Sequence, residues 1–123
     1  MLSLRDCLSF PGFRASHVIR RHPTKKDAWY VKLVRAQKDI ICSGCGAVNR
    51  KPYDARKVKV QDLSVAEHDM YLEFELCRVD CPSCCSVHWE ILPWLSSSRK
   101  MTKRYEKFVK LLKDYKETDN EFK

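Results

Sequence analysis

Cys42-Ser43-Gly44-Cys45 and Cys81-Pro82-Ser83-Cys84 decide how this chain folds. Each pair sets two thiols on one tight turn, close enough to grip a single ion. Two such turns brought together make a cage of four sulfurs, the tetrahedral geometry of structural Zn²⁺. The residues between the pairs read as two strands joined by a turn, which folds the second pair back onto the first. That is the layout of a zinc ribbon. Backbone N–H groups in such turns point at the thiolates, and Gly44 and Gly46 are expected to give the first turn the freedom this needs. Four thiolates leave no open position for water or substrate. The Zn²⁺ is therefore expected to be structural, and no catalytic residue is assigned. The alternatives are free structural cysteines or a thioredoxin-like redox pair, which lacks a βαβ context here and leaves the second pair unexplained.

The chain has seven cysteines and four histidines. Cys85 directly follows Cys84, where such turns favour glycine, and reads as a bystander that can compete as a ligand. Cys77 ends a long strand and can stand in for a missing thiol. Cys7 reads as packing. His17, His22 and His68 share no spacing with the cysteines. His88, three residues beyond Cys85, leaves a Cys₃His site open, against the plainer reading of a surface strand residue.

Outward from the cysteines, residues 56–63 alternate Val58 and Val60 against Lys57, Lys59 and Gln61. Residues 64–68 make the turn. Residues 69–77 give the clearest strand, with Met70, Leu72, Phe74 and Leu76 inward and Tyr71, Glu73 and Glu75 outward. A short strand carries Val87, Trp89 and Ile91 against His88 and Glu90. Ahead of the first pair, residues 13–21 and 29–34 read as a β-hairpin around His22-Pro23-Thr24-Lys25-Lys26-Asp27. The opening residues 2–8 can form one helical turn, and 49–53 a polar loop. Trp94 is expected to anchor the end of the chain to the β-body.

Beyond the β-body, Ser96-Ser97-Ser98 reads as a hinge. Tyr105, Phe108, Val109, Leu112 and Tyr115 recur at helical steps, predicting an amphipathic helix over 102–116 with Thr102 as N-cap. The division expected is a zinc-ribbon-like β domain over 1–95, then hinge and basic helix over 96–123. The class is α+β: a small, β-rich zinc-ribbon-like domain with an N-terminal β-hairpin and a C-terminal helix.

Charge gives a second line of argument. Net charge is +8, from 24 Lys+Arg against 16 Asp+Glu, which favours anionic partners or simple solubility. Arg99, Lys100, Lys103 and Arg104 crowd the helix start, where each cation costs about 0.3–1 kcal/mol against the helix dipole. A phosphate docked on free N–H groups there would reverse that penalty. A second cluster, Arg50, Lys51, Arg56, Lys57 and Lys59, lies between the cysteine pairs. Phosphate contacts are expected from Lys57, Lys59, Arg99, Lys100, Lys103, Arg104 and Lys107, making one footprint on a DNA backbone. A charged, solvated face is the bland alternative. The odd thiol count fits a reducing, intracellular setting. No export signal and no run of roughly 18 apolar residues is visible, so no membrane partner is expected.

The opening Met1-Leu2-Ser3-Leu4…Pro11-Gly12-Phe13, both cysteine pairs, Val60-Gln61-Asp62-Leu63, Arg78-Val79-Asp80-Cys81, and 89–108 from Trp89-Glu90-Ile91-Leu92-Pro93-Trp94 onward together resemble bacterial insertion-sequence transposases of the ISL-three family. The resemblance implies an amino-terminal zinc-binding domain, with Cys42, Cys45, Cys81 and Cys84 as ligands, that helps recognise the terminal inverted repeats of the element. It implies a bacterial, cytoplasmic protein, associated with the nucleoid when bound. In such relatives a helix-turn-helix and a catalytic domain with acidic metal ligands follow. No residue here matches those acids, so the chain is expected to bind double-stranded DNA at transposon ends rather than act as an enzyme. It has no small-molecule substrate on this reading. The rivals are a protein-interaction module, self-associating or binding full-length transposase as a regulator, and a thiol-redox or metal-transfer protein.

Overall fold

The computed structural model describes residues 7–120, so the Met1–Leu4 part of the resemblance and most of the expected opening turn lie outside it. Seven strands and a C-terminal helix follow in order: β1 Phe13–Arg21, β2 Ala28–Arg35, β3 Ile40–Ile41, β4 Val48–Asn49, β5 Asp54–Val65, β6 His68–Cys81, β7 Ser86–Trp89 and α1 Lys103–Asn120. The molecule is thus mostly β with a helix at the end.

The main sheet runs β1-β2-β6-β5, with β7 continuing beside β6, and β3-β4 form a separate two-stranded ribbon. β1 and β2 pair antiparallel, with a bulge between Ala15 and Ile19. β2 and β6 pair parallel, Trp29 opposite Met70 and Val31 opposite Leu72. β5 and β6 form a long antiparallel pair from Asp54↔Arg78 to Val65↔His68. The turn expected over 64–68 tightens to Ala66-Glu67, with Ala66 at φ 55°, because short hairpin loops need left-handed residues to match strand twist.

β6 is the spine, and it has two buried faces. Met70, Leu72, Phe74 and Leu76 point into the main core with Phe13, Val31, Leu33, Val60, Leu92 and Trp94. On the opposite face, Cys77, Val79 and Cys81 pack with Ile40 and Cys42 in a second core. The strand therefore runs past Cys77, where the period-2 pattern suggested an end, into the second cysteine pair. Tyr71, expected to face out, is 8% exposed, because Lys25 lies over its ring at 4.7 Å and the His22 ring tilts against it at 5.0 Å.

Trp94 ties the C-terminal segment to this body. Its ring stacks on Phe10 at 4.5 Å and meets Phe74 edge-on at 5.1 Å, while its carbonyl accepts the Lys103 N–H at 2.8 Å. Ser96–Ser98, read as a hinge, is instead a packed turn. Ser96 is 2% exposed, and its N–H donates to the Met101 carbonyl at 3.0 Å.

Candidate metal centre

The first knuckle hangs between β3 and β4, which pair Ile40 with Asn49 and Ile41 with Val48; the second joins β6 to β7. An antiparallel bridge, Cys42↔Glu90, holds them together, helped by Ser43 N–H to the Trp89 carbonyl at 3.1 Å and Ile91 N–H to the Ile41 carbonyl at 2.8 Å. The structure thus brings together all four expected ligands. The sulfurs of Cys42, Cys45, Cys81 and Cys84 lie within 4.8 Å of one another. Cys42 and Cys84 are 3.6 Å apart, and Cys45 and Cys81 3.5 Å. Zn–S bonds of about 2.3 Å in a tetrahedron require sulfur–sulfur edges of about 3.8 Å. The donor set fits Zn²⁺ in both geometry and softness, and its closed shell makes the ion structural.

The two knuckles repeat one backbone design. Gly46 N–H donates to the Cys42 carbonyl and Cys85 N–H to the Cys81 carbonyl, both at 2.8 Å. Gly46 takes φ 76° and Cys85 φ 55°, so Cys85 occupies the left-handed position that glycine fills in the first turn. Its thiol is exposed and lies 3.5 Å from the Pro82 carbonyl. Gly44 is needed for a different reason than expected. Its φ is not left-handed, but a Cβ there would meet His88 Nε2 at 2.7 Å. His88 lies over that turn, 2.9 Å from Ser86 Oγ.

Hydrogen bonds prepare the sulfurs for ligation. Gly44 N–H points at Cys42 Sγ at 3.4 Å, and Asn49 Nδ2 approaches Cys81 Sγ at 3.9 Å. The Cys84 N–H, with those of Ser83 and the neighbouring thiols, holds Cys81 down to about 6. Burial, with the thiols of Cys42 and Cys81, pushes Cys84 up to about 12. Cys81 yields its proton readily and Cys84 resists, so closing the cage calls for a cation.

Sequence reasoning missed the support behind this centre. Glu90, placed on the exposed side of the last strand, is 2% exposed. Its carboxylate accepts the Cys77 N–H at 2.7 Å and pairs with Arg35. Nothing in the local pattern signals this, because the partner arrives from β2. Cys77 is buried outside the cage, and burial pushes its thiol up. Cys7 is exposed rather than packed.

The basic residues divide. Lys57 and Lys59 stand on the outward face of β5, 3.8 and 3.7 Å from Glu73. Arg99, Lys100, Lys103 and Lys107 are exposed around the start of α1. Arg104 does not join them as a free phosphate ligand. Its guanidinium grips buried Asp62 through Nε, at 2.8 Å, and Nη2, and also donates to the Cys7 carbonyl. Thr102 Oγ1 reaches the same carboxylate at 2.7 Å. The N–H groups expected to seat a phosphate at the helix start are mostly taken up within the chain. Lys103 N–H goes to the Trp94 carbonyl, Tyr105 N–H to Thr102 Oγ1 at 3.3 Å, and Glu106 N–H to the Thr102 carbonyl. The helix start is capped from within, as the N-cap reading of Thr102 requires.

Among the described residues, no helix is long and apolar enough to cross a membrane. No curated protein and no solved structure matches the chain. The family model for the zinc-finger of transposase IS204/IS1001/IS1096/IS1165 matches residues 38–84, which span β3 to β6 and all four cage cysteines. The cysteine-bearing segment of this chain is thus similar to the zinc-finger of those transposases, and its four cysteines are placed to hold one metal ion.

Proposed function

We propose that this chain binds duplex DNA as the zinc-ribbon-bearing end-recognition part of a transposase, on a basic surface beside the metal centre. The observation that carries the reading is the four-sulfur cage within the matched transposase zinc-finger. The fold adds a physical reason to treat both basic clusters as one footprint. Gln61 N–H donates to the Lys100 carbonyl and Thr102 N–H to the Gln61 carbonyl, so the helix start is strapped to β5 two residues from Lys59. Lys57, Lys59, Arg99, Lys100, Lys103 and Lys107 are the phosphate contacts in this reading. Such contacts fix position on the duplex more than they read sequence.

The target is the terminal inverted repeat of an insertion element, and the chain's role is binding rather than chemistry, since a closed thiolate cage offers no reactive position. Metal analysis followed by gel shifts against terminal-repeat and scrambled duplexes tests this. Expected are one zinc per chain and binding that weakens steeply with salt. Binding indifferent to salt, or protein that carries no stoichiometric zinc, sinks it.

A second reading follows from α1. Phe108, Val109, Leu111, Leu112 and Tyr115 are 40–72% exposed, an apolar stripe of the sort that partners cover. As a dimerisation or interaction module, the chain would elute as an obligate dimer with no affinity for DNA in size-exclusion with light scattering.

A further inference from the structure

We infer that the open half of the sheet's outer face, not only the β5–α1 edge, is the platform that docks a DNA duplex. This rests on the DNA-binding reading above and says which surface serves it. At one end the zinc knuckle covers this face, through Cys77, Val79 and Cys81. At the other end the face is a single layer, with the 22–27 loop folded over Tyr71 through His22 and Lys25 and Arg20, Lys32, Lys57 and Lys59 beside it.

The register places the charges. Across β1, β2, β6 and β5, Arg20, Tyr30, Tyr71 and Gln61 stand in one row, and Lys32, Glu73 and Lys59 in the next. Lys57 lies opposite Glu75, Arg14 opposite Val34, and Lys25 lies over the Tyr71 ring. Asp69, Glu73 and Glu75 are the carboxylates that alternation along β6 puts on this side. Glu73 alone faces Lys32, Lys57 and Lys59, at 4.0, 3.8 and 3.7 Å. Three ammonium groups around one carboxylate leave uncompensated positive charge, which a polyanion would neutralise.

The chemistry favours a duplex backbone over unpaired bases. Lys59 lies 4.4 Å over the Tyr30 ring and Lys25 4.7 Å over Tyr71, so the aromatic faces carry cations rather than lying bare for base stacking. From β5 to β1 is three strand spacings, roughly 14 Å, wide enough for the cations at its margins to meet phosphates on either side of a groove about 12 Å across.

The test is fluorescence anisotropy of the zinc-loaded full chain with a labelled 25-base-pair duplex over a KCl series. Arg20→Glu with Lys32→Glu should weaken binding at least tenfold at about 0.1 M salt and flatten the slope of log K against log salt by nearly two. Glu73→Gln should tighten binding two- to five-fold, about what removing a carboxylate from exposed ion pairs allows; a misfolded variant could not produce that gain. If the wild type binds duplex steeply with salt while both variants match it, this face is not the platform and the broader reading survives. If the wild type ignores duplex, or prefers single strands or anionic vesicles through these lysines, the DNA reading falls with it.

Discussion

Cys85 sits at φ 55°, where its twin in the first knuckle is Gly46 at φ 76°. A side chain in the left-handed region costs about 1–2 kcal/mol, and glycine returns part of that through its freer unfolded chain. Cys85→Gly is therefore expected to stabilise the zinc-loaded protein by about 0.5–1 kcal/mol in thermal melts, with zinc stoichiometry unchanged; a destabilised variant would mean the thiol is needed at the cage. His22 gives a pH-dependent counterpart. Its Nδ1 accepts the N–H groups of Thr24 and Lys25 at 3.2 and 3.1 Å. Burial, then the charges of Lys59 and Lys25, hold the imidazole below its ordinary value. The unfolded chain then binds more protons just below about pH 6.5. The stability His22 contributes is complete above that pH and is lost as pH falls through the depressed value. Melts between pH 7.5 and 5.5 should show His22→Gln losing less stability on acidification than the wild type. The cage cysteines were legible from spacing alone, and so was the glycine-like demand at Cys85. The role of Gly44 was not, since it depends on where His88 comes to rest.

Among elements, β6 shows best why a strand could be read only halfway. Up to Leu76 it alternates cleanly because one face meets the apolar core and the other carries Tyr71, Glu73 and Glu75 among polar neighbours. From Cys77 to Cys81 the buried side switches, with Cys77, Val79 and Cys81 buried, Arg78 half-buried and Asp80 exposed, so the alternation changes phase after Leu76 and a single period-2 reading stops there. β3 and β4, two residues each, are below the length at which periodicity means anything. α1 was legible from its 3.6-residue pattern and N-cap, but its attachment was not. Asp62 looks like any polar residue near a strand end, yet it is 0% exposed beneath Thr102 and Arg104. Arg104→Ala should cost about 2–3 kcal/mol in urea unfolding, because it strands a buried carboxylate, though partial exposure of Arg104 tempers the loss. Lys103→Ala should stay within about 0.5 kcal/mol of the wild type. Equal effects of the two would refute the strap.

At the scale of the whole molecule there are two cores of unequal weight. Among the described residues, thirteen buried side chains form the main core and five the metal-side core. Chelation is expected to strip hydrogen-exchange protection from 40–49 and 81–88 while β1, β2 and β5 keep theirs; uniform loss in a single transition would show that the ion holds the entire sheet. Acidification should release zinc, because each proton returned to a thiolate competes with the metal. The +8 charge was readable from composition, but that Lys32 and Lys59 flank Glu73 across the sheet was not, since that depends on the parallel β2–β6 register.

That register also has a consequence for birth. β2 is made some forty residues before the strand that flanks it, and Cys45 waits 36 residues for Cys81. On the ribosome, then, the early hairpin must carry an open edge and a half-built, two-thiol hook through the synthesis of everything between. Both are completed together when β6 and its trailing knuckle emerge. A nascent chain stalled before Cys84 should be the most aggregation-prone and thiol-reactive form this polypeptide ever takes.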